Sequence, residues 1–214
     1  MRGVWLGVLM AAAFSASALA AGDEDLSQRI GKGDPAAGKH KLESLVCREC
    51  HGEDGVSISL MAPNLAGQFA DYIIKQVHAF QSGHRDNPTM DMMAPTIDDA
   101  ALVDVAAFFA SNPRAPGEIS GKSNDAAKAL FENGDSDRGV LACQSCHGPE
   151  GKGTEAGGVF YPLIAGQRFT YLRDQLNNWK TGERSNSPDG VMNHIAAGLT
   201  DREVESLARY ISGL

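Results

Sequence analysis

The chain has 214 residues, 43% of them hydrophobic and 21% charged, a composition that fits one or two globular domains and excludes a disordered or fibrous protein. Its formal charge of -8, from 27 acidic and 19 basic side chains, argues against nucleic acid and anionic lipid as partners. It favours protein partners with basic docking faces.

Met1-Arg2 gives a positive start, Gly3 to Phe14 is apolar, and Ala18-Leu19-Ala20 is a small-x-small cleavage site. This is the pattern of a secretory signal over residues 1-20, cut after Ala20. An uncleaved anchor helix would need a longer apolar stretch. Loss of Arg2 with the signal moves the formal charge to -9. Beyond Ala21 the most apolar piece, AALVDVAAFFA, is short and contains Asp104, so the mature chain is expected to be soluble.

Farther along, Asp34-Pro35 predicts a capped helix running into Cys47. LVCRECHG follows at 45–52, and LACQSCHG repeats the pattern at 141–148. Residues 63–87 lie on 162–186 without a gap, and identical pairs include Pro63/Pro162, Gln68/Gln167, Tyr72/Tyr171, Gln76/Gln175, Gly83/Gly182 and Arg85/Arg184. The apolar pattern of 97–109 matches that of 199–211. The chain is therefore two copies of one unit, 21-112 and 125-214, joined by a Pro- and Gly-rich linker over 113-124. In the middle of each unit, Phe69, Ile73, Val77 and Phe80, or Leu172, Leu176 and Trp179, keep a helical period that ends before Gly83 or Gly182. Asp125 starts a helix ending near Asn133-Gly134. Thr200-Asp201-Arg202-Glu203 has the form of a capping box, and Val204, Leu207, Ala208 and Ile211 form one stripe behind it. No segment alternates as a strand, so the fold class is all-α, twice over.

The only cysteines are Cys47, Cys50, Cys143 and Cys146. Disulfides would leave the following histidine unexplained, and the separation of Cys50 from Cys143 is long for a zinc ribbon. A thioredoxin-like pair would need a preceding strand. One reading uses every residue: two thiols bond to the vinyl groups of a haem, and His51 or His147 reaches the iron. Two covalently bound haem c groups also supply the core that such short units lack. For the other axial position the first unit offers Met61, Met90, Met92, Met93, His78 and His84; the second offers Met192 and His194. Counting back seven residues from Ile97 and from Leu199 reaches Met90 and Met192, both in polar loops. Met192 stands alone in its unit, whereas Met92 and Met93 remain alternatives to Met90. Histidine and thioether ligation raises the reduction potential and leaves no open position on the iron, which describes a carrier and not an enzyme.

Together the C-x-x-C-H-G motifs, the P-x-x-A-G-Q segments, the Y-x-x-x-Q helices, the methionines and the final helix resemble the diheme cytochrome c4 family over almost the whole mature chain. The resemblance implies two tandem class I cytochrome c domains about a pseudo-two-fold, with haem propionates near the surface between them. It also implies a periplasmic carrier, at most peripherally membrane-associated, between a quinol-oxidising complex or dehydrogenase and a terminal oxidase or other acceptor. By the same resemblance Pro63 and Pro162 supply the carbonyls that fix the proximal imidazoles, and Phe108 and Tyr210 pack the last helix of each unit onto the first. The second unit departs by three additional residues between His147 and Pro162. An alternative is an electron-transfer subunit or acceptor of a periplasmic redox enzyme, for example in thiosulfate oxidation. A diheme peroxidase would need an open iron. A thiosulfate dehydrogenase would need a cysteine beyond the four consumed by attachment.

Overall fold

The structure is a computed structural model that describes residues 33–118 and 124–214. The signal segment read over 1-20 and part of the linker lie outside the described residues. Asp34 caps the first helix by accepting from the Ala36 amide at 2.8 Å, and Pro35 holds its first position, giving α1 (Pro35–Leu42). The expected continuation into Cys47 does not form. The chain turns at Glu43 and Ser44, whose amides bond back three residues, and restarts as α2 (Arg48–His51). An unbroken helix would set Leu42 and Cys47 about 140° apart around its axis. The turn lets both pack into one core.

The first unit continues with α3 (Ala70–Gln81), α4 (Pro88–Met93) and α5 (Asp99–Ser111). The second repeats that order as α6 (Asp125–Asn133), α7 (Gln144–His147), α8 (Phe169–Thr181), α9 (Val191–Ala197) and α10 (Asp201–Ser212). In each unit the first helix crosses the last, α1 on α5 and α6 on α10, and the long middle helix packs against the last as well. The Thr200 capping box forms, and the stripe Val204, Leu207, Ala208 and Ile211 is buried. Phe131 of α6 meets Tyr210 of α10 with ring centroids 5.6 Å apart, and Phe108 of α5 is buried in the first core.

A strand pair does exist. β1 (Thr154–Ala156) and β2 (Val159–Tyr161) form an antiparallel hairpin in the register Thr154 to Tyr161, turning through Gly157 and Gly158 at positive φ. It occupies the stretch that holds the second unit's additional residues. Three residues a side are too few for alternation to be read.

The units meet through reciprocal contacts. Gln167 accepts from the Asn64 amide at 2.7 Å and donates to the Asn64 carbonyl at 2.9 Å. Gln68 accepts from the Leu163 amide at 3.1 Å and donates to the Leu163 carbonyl at 2.8 Å. Each glutamine thus completes the backbone of the opposite unit at equivalent positions. Gly67 and Gly166 likewise donate to the end of their own last helix, at Phe109 and Ile211.

Candidate haem sites

Each Cys-x-x-Cys-His stretch is one tight helical turn. The His51 and His147 amides bond to the carbonyls of Cys47 and Cys143 at 3.0 and 2.9 Å, which brings the first cysteine and the histidine onto one side of α2 and of α7. Gly52 and Gly148 end these turns with φ of 81° and 76°. A side chain at Gly52 would also put its Cβ 2.0 Å from the Val56 carbonyl. The glycine of the motif therefore serves backbone geometry. Ser57 and Thr154, eight residues or fewer beyond the second cysteine, each donate a hydroxyl hydrogen bond to that cysteine's carbonyl. Sequence reasoning missed both, since they stand seven residues beyond Cys50 and eight beyond Cys146 and so do not align as a repeat.

The imidazoles are fixed in the same way twice. Nδ1 of His51 donates to the Pro63 carbonyl at 2.9 Å, and Nδ1 of His147 donates to the Pro162 carbonyl at 2.9 Å. A carbonyl can only accept, so the proton sits on Nδ1 and the Nε2 lone pair is left for another partner. Burial holds both histidines below the usual imidazole range, outweighing the opposing carbonyl bonds. Both are neutral near pH 7, the state that can ligate iron.

All four thiols are free and half-buried. Burial raises the Cys47 thiol and pushes Cys143 up to about 11. Such thiols resist becoming the thiolates that a zinc site or a redox-active pair needs. Among the described residues no group of three or more His, Cys, Asp or Glu could hold a metal ion. Two free thiols beside a neutral, oriented imidazole suit thioether attachment of haem, and the donor set fits that group in both units.

Met90 and Met192 do not lie in loops. Asn87 accepts from the amides of Thr89 and Met90 at 3.1 and 3.0 Å, Pro88 takes the first helical position, and Met90 falls within α4. Met192 lies in the first turn of α9, with its amide bonded to Ser187 Oγ at 3.2 Å. Helices this short give no readable period. The Asn-Pro pair was the available sign of a capped start. Met90 and Met93 are half-buried, whereas Met92 is 66% exposed. His78 is bonded to Asp99 at 2.9 Å and His84 to Ser82 at 2.8 Å.

Comparison with known proteins agrees with this arrangement. The family model described as cytochrome c matches residues 125–214. The cytochrome c4 of Thiocapsa roseopersicina is 36% identical over 182 residues, covering 85% of this chain and 93% of that protein. The thiosulfate dehydrogenase electron acceptor of Stutzerimonas stutzeri is 36% identical over 175 residues, covering 80% of each. The crystal structure of reduced recombinant cytochrome c4 from Pseudomonas stutzeri superposes with a TM-score of 0.76 at 34% identity, covering 85% of this chain and 99% of that one. With its two all-α class I units and its paired attachment motifs, the chain belongs to the cytochrome c4 family of diheme electron-transfer cytochromes, which bind haem c covalently and act as carriers and not as enzymes.

Proposed function

We propose that the chain is an exported, periplasmic one-electron carrier between a quinol-oxidising complex or dehydrogenase and a terminal oxidase or other acceptor. Cys47 and Cys50 would hold one haem and Cys143 and Cys146 the other, with His51 and Met90 as the side chains that would ligate the first iron and His147 and Met192 the second. The observation that carries the reading is the twice-built imidazole: neutral, buried in the first unit and half-buried in the second, with Nδ1 engaged by a proline carbonyl beside two free thiols. When bound, the haem supplies a one-electron ferric/ferrous couple. The chain's own residues orient the histidine and shield it from water. The methionines on α4 and α9 supply a soft donor that favours ferrous iron. Met90 is preferred to the exposed Met92 because a ligand held in a packed setting keeps one geometry.

Docking follows from charge and shape. Residues 33–112 carry eleven acidic and five basic side chains, against twelve and nine over 124–214. The first unit also displays Ile58, Leu60 and Met61 on an uncharged loop, with Ile58 73% exposed. An apolar protrusion on an acidic unit suits a redox partner with a basic rim around an apolar centre. Among the described residues no helix is long and apolar enough to cross a membrane.

A spectroscopic redox titration of the purified holoprotein tests the reading. Two low-spin c-type centres at positive potentials, with the weak far-red thioether-to-iron band when oxidised, are expected. Met192→Ala should abolish that band for one centre and let it bind carbon monoxide. A high-spin centre in the untreated protein would overturn the proposal. A second reading, the acceptor of a thiosulfate-oxidising enzyme, is favoured by the similarity to the Stutzerimonas stutzeri acceptor. Rapid reduction by thiosulfate plus a thiosulfate dehydrogenase, and none by thiosulfate alone, would support it.

A further inference from the structure

The contacts between the units come in mirrored pairs. Gln68 bonds to the backbone of Leu163 as Gln167 does to that of Asn64, and Arg85 reaches the Tyr171 hydroxyl as Arg184 reaches that of Tyr72. One contact lacks its mirror. The Thr170 hydroxyl donates to the Leu60 carbonyl of the opposite unit. Thr170 and Asp71 each stand eight residues after Pro162 or Pro63, and Leu60 and Val159 each stand three before their own proline. The mirrored contact would therefore join Asp71 to the Val159 carbonyl. It is not formed: Asp71 Oδ1 is buried without a hydrogen-bond partner.

The side-chain chemistry accounts for the gap. An ionised carboxylate only accepts, and so does a carbonyl, whereas a protonated carboxyl carries one O–H and can take the part of threonine. A backbone carbonyl has two lone pairs, so membership of the hairpin leaves Val159 able to receive it. The two elements already touch. α3 packs against β2, the Phe69 and Phe160 rings lie 5.3 Å apart, and a Cβ on Gly153 would come within 2.6 Å of the Phe69 ring. On the elements meeting there the ionisable groups are Lys75 on α3, Glu155 on β1 and Tyr161 on β2, and none of them bonds to Asp71. Residues 105–111 of α5, beside the start of α3, include no ionisable group. Asp91 and Asp99 lie toward the far end of α3 and are engaged by Asn87 and His78. The first turn of a helix favours a negative charge, yet burial raises the Asp71 carboxyl above its ordinary range.

We propose that Asp71 is a proton-operated latch between the units, which on taking up one proton donates to the Val159 carbonyl and fastens α3 to the hairpin of the second unit. The proton comes from solvent, and apart from the new O–H and its hydrogen bond no bond changes. The latch goes beyond the carrier reading and draws on no haem contact. A carboxyl that holds its proton more tightly in the folded chain weakens the fold at neutral pH; that penalty lifts as pH falls through the raised value and is gone below the ordinary 3.8.

Thermal melts of the holoprotein, of Asp71→Asn and of Asp71→Thr test the latch, because both variants carry a permanent neutral donor. At pH 7 each should melt above the natural protein by about 2–4 °C, the shift expected of one unsatisfied polar group in a chain of this size. At about pH 3.5 the difference should vanish. Equal melting at pH 7, or a gain that persists undiminished at low pH, would overturn the proposal. Hydrogen exchange of the natural holoprotein decides even if a variant fails to fold. Corrected for the intrinsic exchange rate, protection of the amides over 154–161 should rise severalfold as pH falls from 7 to about 4, and pH-independent protection there would overturn the latch.

Discussion

Glu203 shows how one side chain links a helix end to the rest of its unit. Its carboxylate closes the capping box by accepting from the Thr200 amide at 2.8 Å, and it takes two bonds from Arg138 at 2.9 and 2.7 Å. The Arg138 guanidinium, and less so Thr200, hold its carboxyl at about 2 against an ordinary 4.5, although burial pulls the other way. The folded value lies below the unfolded one, so the stabilisation is complete above about pH 4.5 and disappears as pH falls toward 2. Partial exposure limits it to roughly 1 kcal/mol. Thermal melts of the holoprotein and of Glu203→Gln should therefore differ at pH 7 and converge near pH 2. At this scale the two Cys-x-x-Cys-His turns were legible because their spacing is a local pattern, and Thr200 and Glu203 because a capping box is one too. Ser57 and Thr154 were not, since a hydroxyl bonded to a carbonyl seven or eight residues back leaves no signature in one copy read alone.

The helices divide by length. α3, α8 and α10 are long enough for an apolar stripe to repeat, and their positions could be read from the chain. α1 was misjudged at its end because the need to bring Cys47 into the core is a tertiary demand. α4 and α9 fell below the length at which a period exists. The crossing of first and last helices rests on different residues in the two units. Gly38 lets α1 approach α5 so closely that an added Cβ would lie 2.1 Å from the Asp104 carbonyl. In α6 the buried face is Ala127 and Phe131. Gly38→Val must push the two helices apart and should destabilise the first unit by about 3 kcal/mol. Denaturation followed by the haem absorbance should show that unit loosening first.

Across the whole molecule, eight of the residues identical between the two copies gather where the copies meet. Gln68, Gln167, Tyr72, Tyr171, Gln76, Gln175, Arg85 and Arg184 all reach into the opposite unit. The repeat was plain in the sequence; its meaning was not, because a single chain does not say which equivalent residues face one another. Gln68 and Gln167 each make two bonds to backbone groups of the opposite unit that have no other partner among the described residues, and removing such a bond leaves polar groups unsatisfied at about 1–3 kcal/mol each. Gln68→Ala combined with Gln167→Ala should split a single calorimetric transition into two, with little change in the axial-ligand spectrum of either centre. Unchanged, superimposed melting would show that the linker and the arginines suffice to join the halves.

The pairing of like with like has one more consequence. A surface whose residues answer to their own counterparts is self-complementary in the manner of a two-fold dimer contact. Two unattached single units would already possess the glutamine, tyrosine and arginine partners such a contact requires. Fusing them end to end creates no new recognition; it replaces a bimolecular encounter with an effective concentration on the order of millimolar. Two redox centres then stay neighbours at any dilution, and the chain can hand on electrons without first finding its other half.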